Sequence, residues 1–204
     1  MGKLAMGINK IINRKLRVRH VGSPPFVGIA GFTRNDLAKL FGELGYKKGV
    51  EVGVASGKFS EILCQSIPGL KLICVDPWGP LWNSPITQKR NDINYQWAQK
   101  RLKGYKADLW KMPSMEAVEQ FMEHNTLDFV YIDGLHDFDS AMRDIIEWTK
   151  RVKPGGIVSG HDYIFDCAKE FGVLNAVNNY TYAHNITEWW ITKDHPNSWF
   201  FVKK

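Results

Sequence analysis

Four side chains in two short runs have the types and spacing for proton transfer. They are Asp133 and His136 in Tyr131-Ile-Asp133-Gly-Leu-His136, and His161 and Asp162 in Gly160-His161-Asp162-Tyr163. An imidazole ionises near neutral pH, so either histidine can act as a general base toward a hydroxyl. Each run follows an apolar stretch that reads as a strand, Leu127-Asp-Phe-Val-Tyr-Ile and Ile157-Val-Ser. Ligands of an open α/β sheet bind beyond the carboxyl ends of its strands, so the two runs are expected to converge there. Each residue also has an ordinary structural reading: Asp133 as a helix cap, His136 as a side chain packed beside it.

A second constellation has the marks of a nucleoside site. Glu51-Val-Gly53-Val-Ala55-Ser56-Gly57 ends a strand and precedes a helix. Small residues let the backbone turn tightly and let a ligand approach it, and a helix N-terminus offers free N–H groups. Alone the run is a glycine turn with Ala55 in place of its middle glycine. Asp76, at the end of the next strand and about 20 residues after Gly57, supplies the carboxylate that accepts ribose hydroxyls in such folds. Its other reading is a turn residue before Pro77.

The elements that must position these groups follow from apolar periodicity. Strands are expected at Val50–Val54, Lys71–Val75, Tyr105–Lys111, Leu127–Ile132 and Ile157–Ser159, with helices over Phe59–Ser66, Ile93–Leu102, Met115–Met122 and the Phe138–Trp148 face. Thr33 reads as the N-cap, with Asp36 in the first turn, of a helix to about Leu44. Alternation of this kind implies parallel strands with right-handed crossovers, an α/β Rossmann-like doubly wound sheet. Glu188-Trp-Trp-Ile-Thr and Ser198-Trp-Phe-Phe-Val are too close for a helix between them and form an antiparallel hairpin. Trp78 to Tyr95, with Trp82 and Asn83, is long enough for a lid whose tryptophans stack on an acceptor, or else packs on the neighbouring helix.

These motifs, with Val75-Asp76-Pro-Trp and Lys153-Pro-Gly-Gly156, resemble class I S-adenosylmethionine-dependent methyltransferases. The nearest resemblance is to small-molecule O-methyltransferases of the macrocin and cephalosporin-biosynthesis type, from about Thr33 to the C-terminus. It implies that Glu51, Gly53, Ala55, Ser56 and Gly57 line the methionine half of S-adenosylmethionine, that Asp76 holds the ribose, and that Ser114 and Met115 flank the adenine. It also implies a divalent cation on Asp133 and Asp162 that orients the acceptor, with His161, where relatives often carry a second acid, as third ligand. Two carboxylates with imidazole suit manganese, iron or zinc as well as magnesium. Asp133, His136 and His161 are the expected catalytic residues, and the expected reaction is methyl transfer to a hydroxyl of a small acceptor, such as a sugar or glycoconjugate. Two rivals stand beside it: a nicotinamide-dependent oxidoreductase, against which the terminal hairpin argues, and a non-catalytic cofactor-binding accessory protein.

The bulk numbers agree with a globular chain of 204 residues, 44% hydrophobic and 24% charged. Three cysteines, Cys64, Cys74 and Cys167, and no recognisable secretory signal point to free thiols and a cytoplasmic setting. The net charge of +6 is carried by Lys3, Lys10, Arg14, Lys15, Arg17 and Arg19, and the rest of the chain is balanced, so nucleic acid is not an expected partner. Residues 1–32 therefore read as a basic amphipathic arm and linker, and 33–204 as the methyltransferase domain. Leu4, Ile8, Ile11, Ile12 and Leu16 need an apolar surface, and the arm is expected to cap the acceptor cavity and draw in an anionic substrate or to meet a second copy of the chain, the other readings being a helix lying on a membrane surface and an acid-free, Arg-containing transit peptide.

Overall fold

The computed structural model describes residues 3–18, 23–27, 31–79, 87–164 and 172–204. Trp82, Asn83 and Cys167 lie outside them. The element order is α1 (Lys3–Leu16), β1 (Phe26–Val27), α2 (Arg34–Glu43), β2 (Lys48–Val52), α3 (Lys58–Ser66), β3 (Lys71–Val75), α4 (Gln88–Leu102), β4 (Lys106–Trp110), α5 (Ser114–Gln120), β5 (Leu127–Ile132), α6 (Phe138–Arg151), β6 (Val152–Tyr163), α7 (Val173–Ala183), β7 (Trp189–Ile191) and β8 (Asn197–Val202). One sheet runs β1-β7-β8-β6-β5-β2-β3-β4. The strands from β4 to β6 are parallel, and β8 is antiparallel to both β6 and β7. This is the expected doubly wound sheet with its terminal hairpin.

The strands read as nearly continuous apolar runs because both faces are covered. All six residues of β5 are buried. One face carries α1 to α4, packed through Leu37, Phe41, Phe59 and Leu63 onto Phe129 and Tyr131; the other carries α5 to α7, packed through Val118, Ile145, Trp148 and Val177 onto Val130 and Val158. Thr33 caps α2 as expected, in a capping box with Asp36. Helix α7 and the two-residue β1 were not among the expected elements. Helix α7 buries Val173, Ala176, Val177, Tyr180 and Thr181 amid asparagines, a weak stripe that only its packing partner makes legible.

Helix α1 does not cap the acceptor cavity. Ile12 and Leu16 are fully buried in the same cluster as α2 and α3, and Leu4 and Ile8 lie beside Gly155, near the start of β6 and far along that strand from His161. Asn9 bonds Glu188, and the Trp190 indole donates to Asn13 at 2.9 Å. The apolar stripe has found the uncovered face of β6 and β8, where burial of each large aliphatic side chain contributes about 2 kcal/mol. Lys10, Arg14 and Arg17 remain on the outer face. Among the described residues, no helix is long and apolar enough to cross a membrane.

Candidate active site

The nucleotide-type turn sits at the carboxyl end of β2. Gly53 has φ +84°, and a Cβ there would lie 1.8 Å from the carbonyl oxygen of Asp133, so β2 and β5 approach each other too closely for any side chain. Asp133 N–H donates to Val52 O at 2.7 Å across this contact, and Gly53 N–H donates to Val75 O at 2.9 Å, which ties the turn to β3. Gly57 caps α3 in the left-handed region with φ +74°. No side chain caps the first turn of α3, which leaves its amides facing the turn as an anion-attracting end. Ala55, where the motif usually has glycine, is also left-handed at φ +46°, a conformation that costs an L-residue about 1 kcal/mol.

Asp76 organises this turn. Its Oδ2 accepts from the amides of Val54 (3.0 Å) and Ala55 (2.8 Å), and its Oδ1 from Trp78 (2.7 Å). Burial raises its pKa, and these amides pull the other way. Oδ1, with a single amide bond, retains acceptor capacity for a ribose hydroxyl. Glu51 lies beneath the turn, buried, bonded to the Ser60 hydroxyl and pushed by burial up to about 8. Trp78 is not part of a lid: it is fully buried, packs at a tilt against Tyr95 with ring centres 4.8 Å apart and donates its indole N–H to Ala55 O at 2.7 Å. The tryptophan thus buttresses the turn from behind.

The side chain of Ser114, expected beside adenine, is engaged elsewhere. It donates to Asp144 Oδ1 at 2.5 Å and accepts from the Trp148 indole at 2.9 Å. This buried link ties α5 to α6, and burial raises Asp144 to about 6. Met115 packs against the adjoining apolar cluster. Asp144 escaped the sequence reading because a lone acid on an amphipathic helix looks like a surface residue until its partner is known.

The acceptor-side groups do come together. His136 Nε2 lies 3.0 Å from Asp162 Oδ2 and 3.9 Å from Asp133 Oδ1; His161 Nδ1 lies 3.3 Å from Asp162 Oδ1 and 3.8 Å from Asp133 Oδ1. Strand β6 reaches this point through a register shift between Gly160 and Tyr163, where Asp162 takes φ +56°. A bulge of this kind re-aims side chains that a regular pleat would send to opposite faces. The Gly172 amide donates to His136 O at 2.7 Å, so the start of α7 pins the loop that carries His136. The carboxylates of Asp133 and Asp162 raise His136 to about 9 against the effect of burial. Burial opposes a charged His161, but its bond to Asp162 and the nearby carboxylates prevail and raise it too. Asp162, although buried, is held well below the usual carboxylate range by the two imidazoles. Asp133, His136, His161 and Asp162, with Ile132 and Trp199, line a cleft with free space of ≈ 10 Å³, about one water.

Asp133, His136 and Asp162 offer three ligand atoms within 4.8 Å of one another. That donor set fits a divalent cation, and its imidazole is His136 in place of the expected His161. The sequence reading also missed Arg34, the first residue of α2, whose NH1 lies 3.5 Å from His161 Nε2. Its position before β2, in no motif, gave no sign of this.

A methyltransferase-domain family model matches residues 50–163, more than half of the chain, and takes in Gly53, Asp76, Asp133, His136, His161 and Asp162 but not Arg34. No curated protein matches the sequence. Among solved structures, an O-methyltransferase from Bacillus cereus in complex with SAH superposes with TM-score 0.61 at 13% identity, covering 100% of this chain and 92% of its own. The O-methyltransferase TomG from Streptomyces achromogenes, involved in tomaymycin synthesis and in complex with SAM, gives 0.60 at 13%, covering 100% and 91%. Cofactor-bound Rv0187 from MTB gives 0.59 at 12%, covering 100% and 91%. At such identities the likeness is one of fold.

Proposed function

This chain belongs to the methyltransferase-domain family, and we propose that it moves the methyl group of S-adenosylmethionine onto a hydroxyl oxygen of a small acceptor. The observation that carries this reading is the meeting of His136 with Asp162 at 3.0 Å, next to the turn at Gly53 that fits the cofactor. The cofactor supplies a methyl carbon on a positively charged sulfur. Attack by the acceptor oxygen on that carbon would break the C–S bond and leave its electron pair on sulfur as a neutral thioether. His136 in its neutral form takes the hydroxyl proton, and Asp133 and Asp162 hold the resulting imidazolium. The turn from Gly53 to Gly57 and Asp76 hold the cofactor, so that attack is intramolecular in effect.

A second reading rests on the three convergent ligand atoms: a divalent cation on Asp133, His136 and Asp162 would orient the acceptor and lower its hydroxyl pKa. The anionic or sugar-like character of the acceptor stays part of the proposal. The test is S-adenosylhomocysteine release on a panel of catechol, phenol and sugar acceptors, with EDTA and with added magnesium or manganese. Turnover that survives EDTA supports His136 as the base; turnover restored only by metal supports the cation. Absence of S-adenosylmethionine binding by calorimetry would overturn both.

A further inference from the structure

Arg34 is a cation placed at the boundary between the cofactor turn and the acceptor histidines. Its backbone N–H donates to Asp194 Oδ2 at 3.1 Å, which pins the first turn of α2 to the loop before β8. Its guanidinium carbon lies 5.3 Å from the centre of the Phe59 ring, in the first turn of α3, two residues beyond Gly57. Its NH1 lies 3.5 Å from His161 Nε2 on the other side. The side chain is half-buried, and its guanidinium forms no ion pair among the described residues. Glu51, a buried acid that feels its charge, is bonded to Ser60.

An arginine fork that lacks a carboxylate partner, beside an aromatic ring at the edge of a ligand cleft, is suited to receive a planar carboxylate in two parallel bonds. Taken with the reading of this chain as a user of S-adenosylmethionine, on which this inference rests, one such carboxylate is always present. It belongs to the methionyl end of the cofactor, the end that the turn from Gly53 to Gly57 receives. We infer that Arg34 binds the α-carboxylate of the cofactor's methionyl half, and thereby selects the intact cofactor over nucleosides that lack the amino-acid end.

Calorimetry with two ligands tests this. S-adenosylhomocysteine carries the carboxylate; 5′-methylthioadenosine has the same nucleoside and sulfur without it. Arg34→Met is expected to weaken S-adenosylhomocysteine about 10- to 100-fold, the loss of a charge-assisted pair, and to leave 5′-methylthioadenosine within about twofold of wild type. Arg34→Lys, which keeps the charge and loses the fork, is expected to fall between. Unchanged S-adenosylhomocysteine affinity in Arg34→Met would overturn the inference, and so would an equal loss for both ligands, which would mark Arg34 as a support of the fold. Wild-type protein that binds neither ligand would refute the cofactor reading itself, a failure distinct from either.

Discussion

The two halves of the candidate site are built on opposite plans. On the cofactor side the backbone is the working surface. Gly53 and Gly57 allow the close approach, Asp76 spends most of its acceptor capacity on the amides of Val54, Ala55 and Trp78, and Trp78 braces the turn from behind. On the acceptor side the backbone is only a mount. Asp133, His136, His161 and Asp162 face one another, and their bonds and charges raise the pKa of His136 and His161 and lower that of Asp162. The first half depends on shape and backbone donors, so its failures should appear as lost affinity or stability. The second depends on protonation, so its failures should appear in turnover and pH dependence.

The sharpest break between the two should come from His136→Ala. Loss of a positioned base is expected to lower turnover about 10²- to 10⁴-fold while S-adenosylhomocysteine affinity stays within about twofold. Parallel loss of both in calorimetry and initial-rate assays would merge the two halves into one unit. The pH profile is the next largest effect. The base form of His136 is the neutral one, and its pKa is raised to about 9, so kcat/KM should climb nearly tenfold per pH unit above pH 7 and level off near 9. Asp162→Asn removes a carboxylate that holds this proton, so the plateau should move to lower pH. In stability the sign is reversed: the ion pair stabilises the fold fully below about pH 6.5, the ordinary histidine value, and its contribution fades as pH rises through about 9. A pH-independent rate would remove His136 from the proton path.

Smaller effects belong to the cofactor side. Asp76→Ala should weaken S-adenosylhomocysteine at least about tenfold, because the ribose loses its acceptor and the turn loses its brace. Affinity equal to wild type in calorimetry would leave Asp76 with no part in the site. Ala55→Gly should relieve the left-handed strain and raise stability by about 0.5 kcal/mol in urea unfolding, after the entropy of the added glycine is offset. A loss of stability would show that Ala55 packs more usefully than its backbone angle suggests.

Local chemistry made much of this molecule legible in one dimension. The apolar runs of β3 and β5 were readable to the residue, as was the Thr33 cap, because strand periodicity and capping act over a few neighbours. The glycine turn and Asp76 were readable because close backbone approach admits so few residue types. Tertiary structure decided the rest. It placed α1 on the face of β6 and β8, since an apolar stripe specifies a need for burial and not which surface meets it. It chose His136 over His161 as the partner at 3.0 Å from Asp162 through a bulge in β6, and it buried Asp144 against Ser114 and Trp148. It brought Arg34 to within 3.5 Å of His161 across a sequence distance that no motif spans. Contacts of this kind depend on which elements the sheet order makes neighbours, and sheet order is a property of the whole chain's packing.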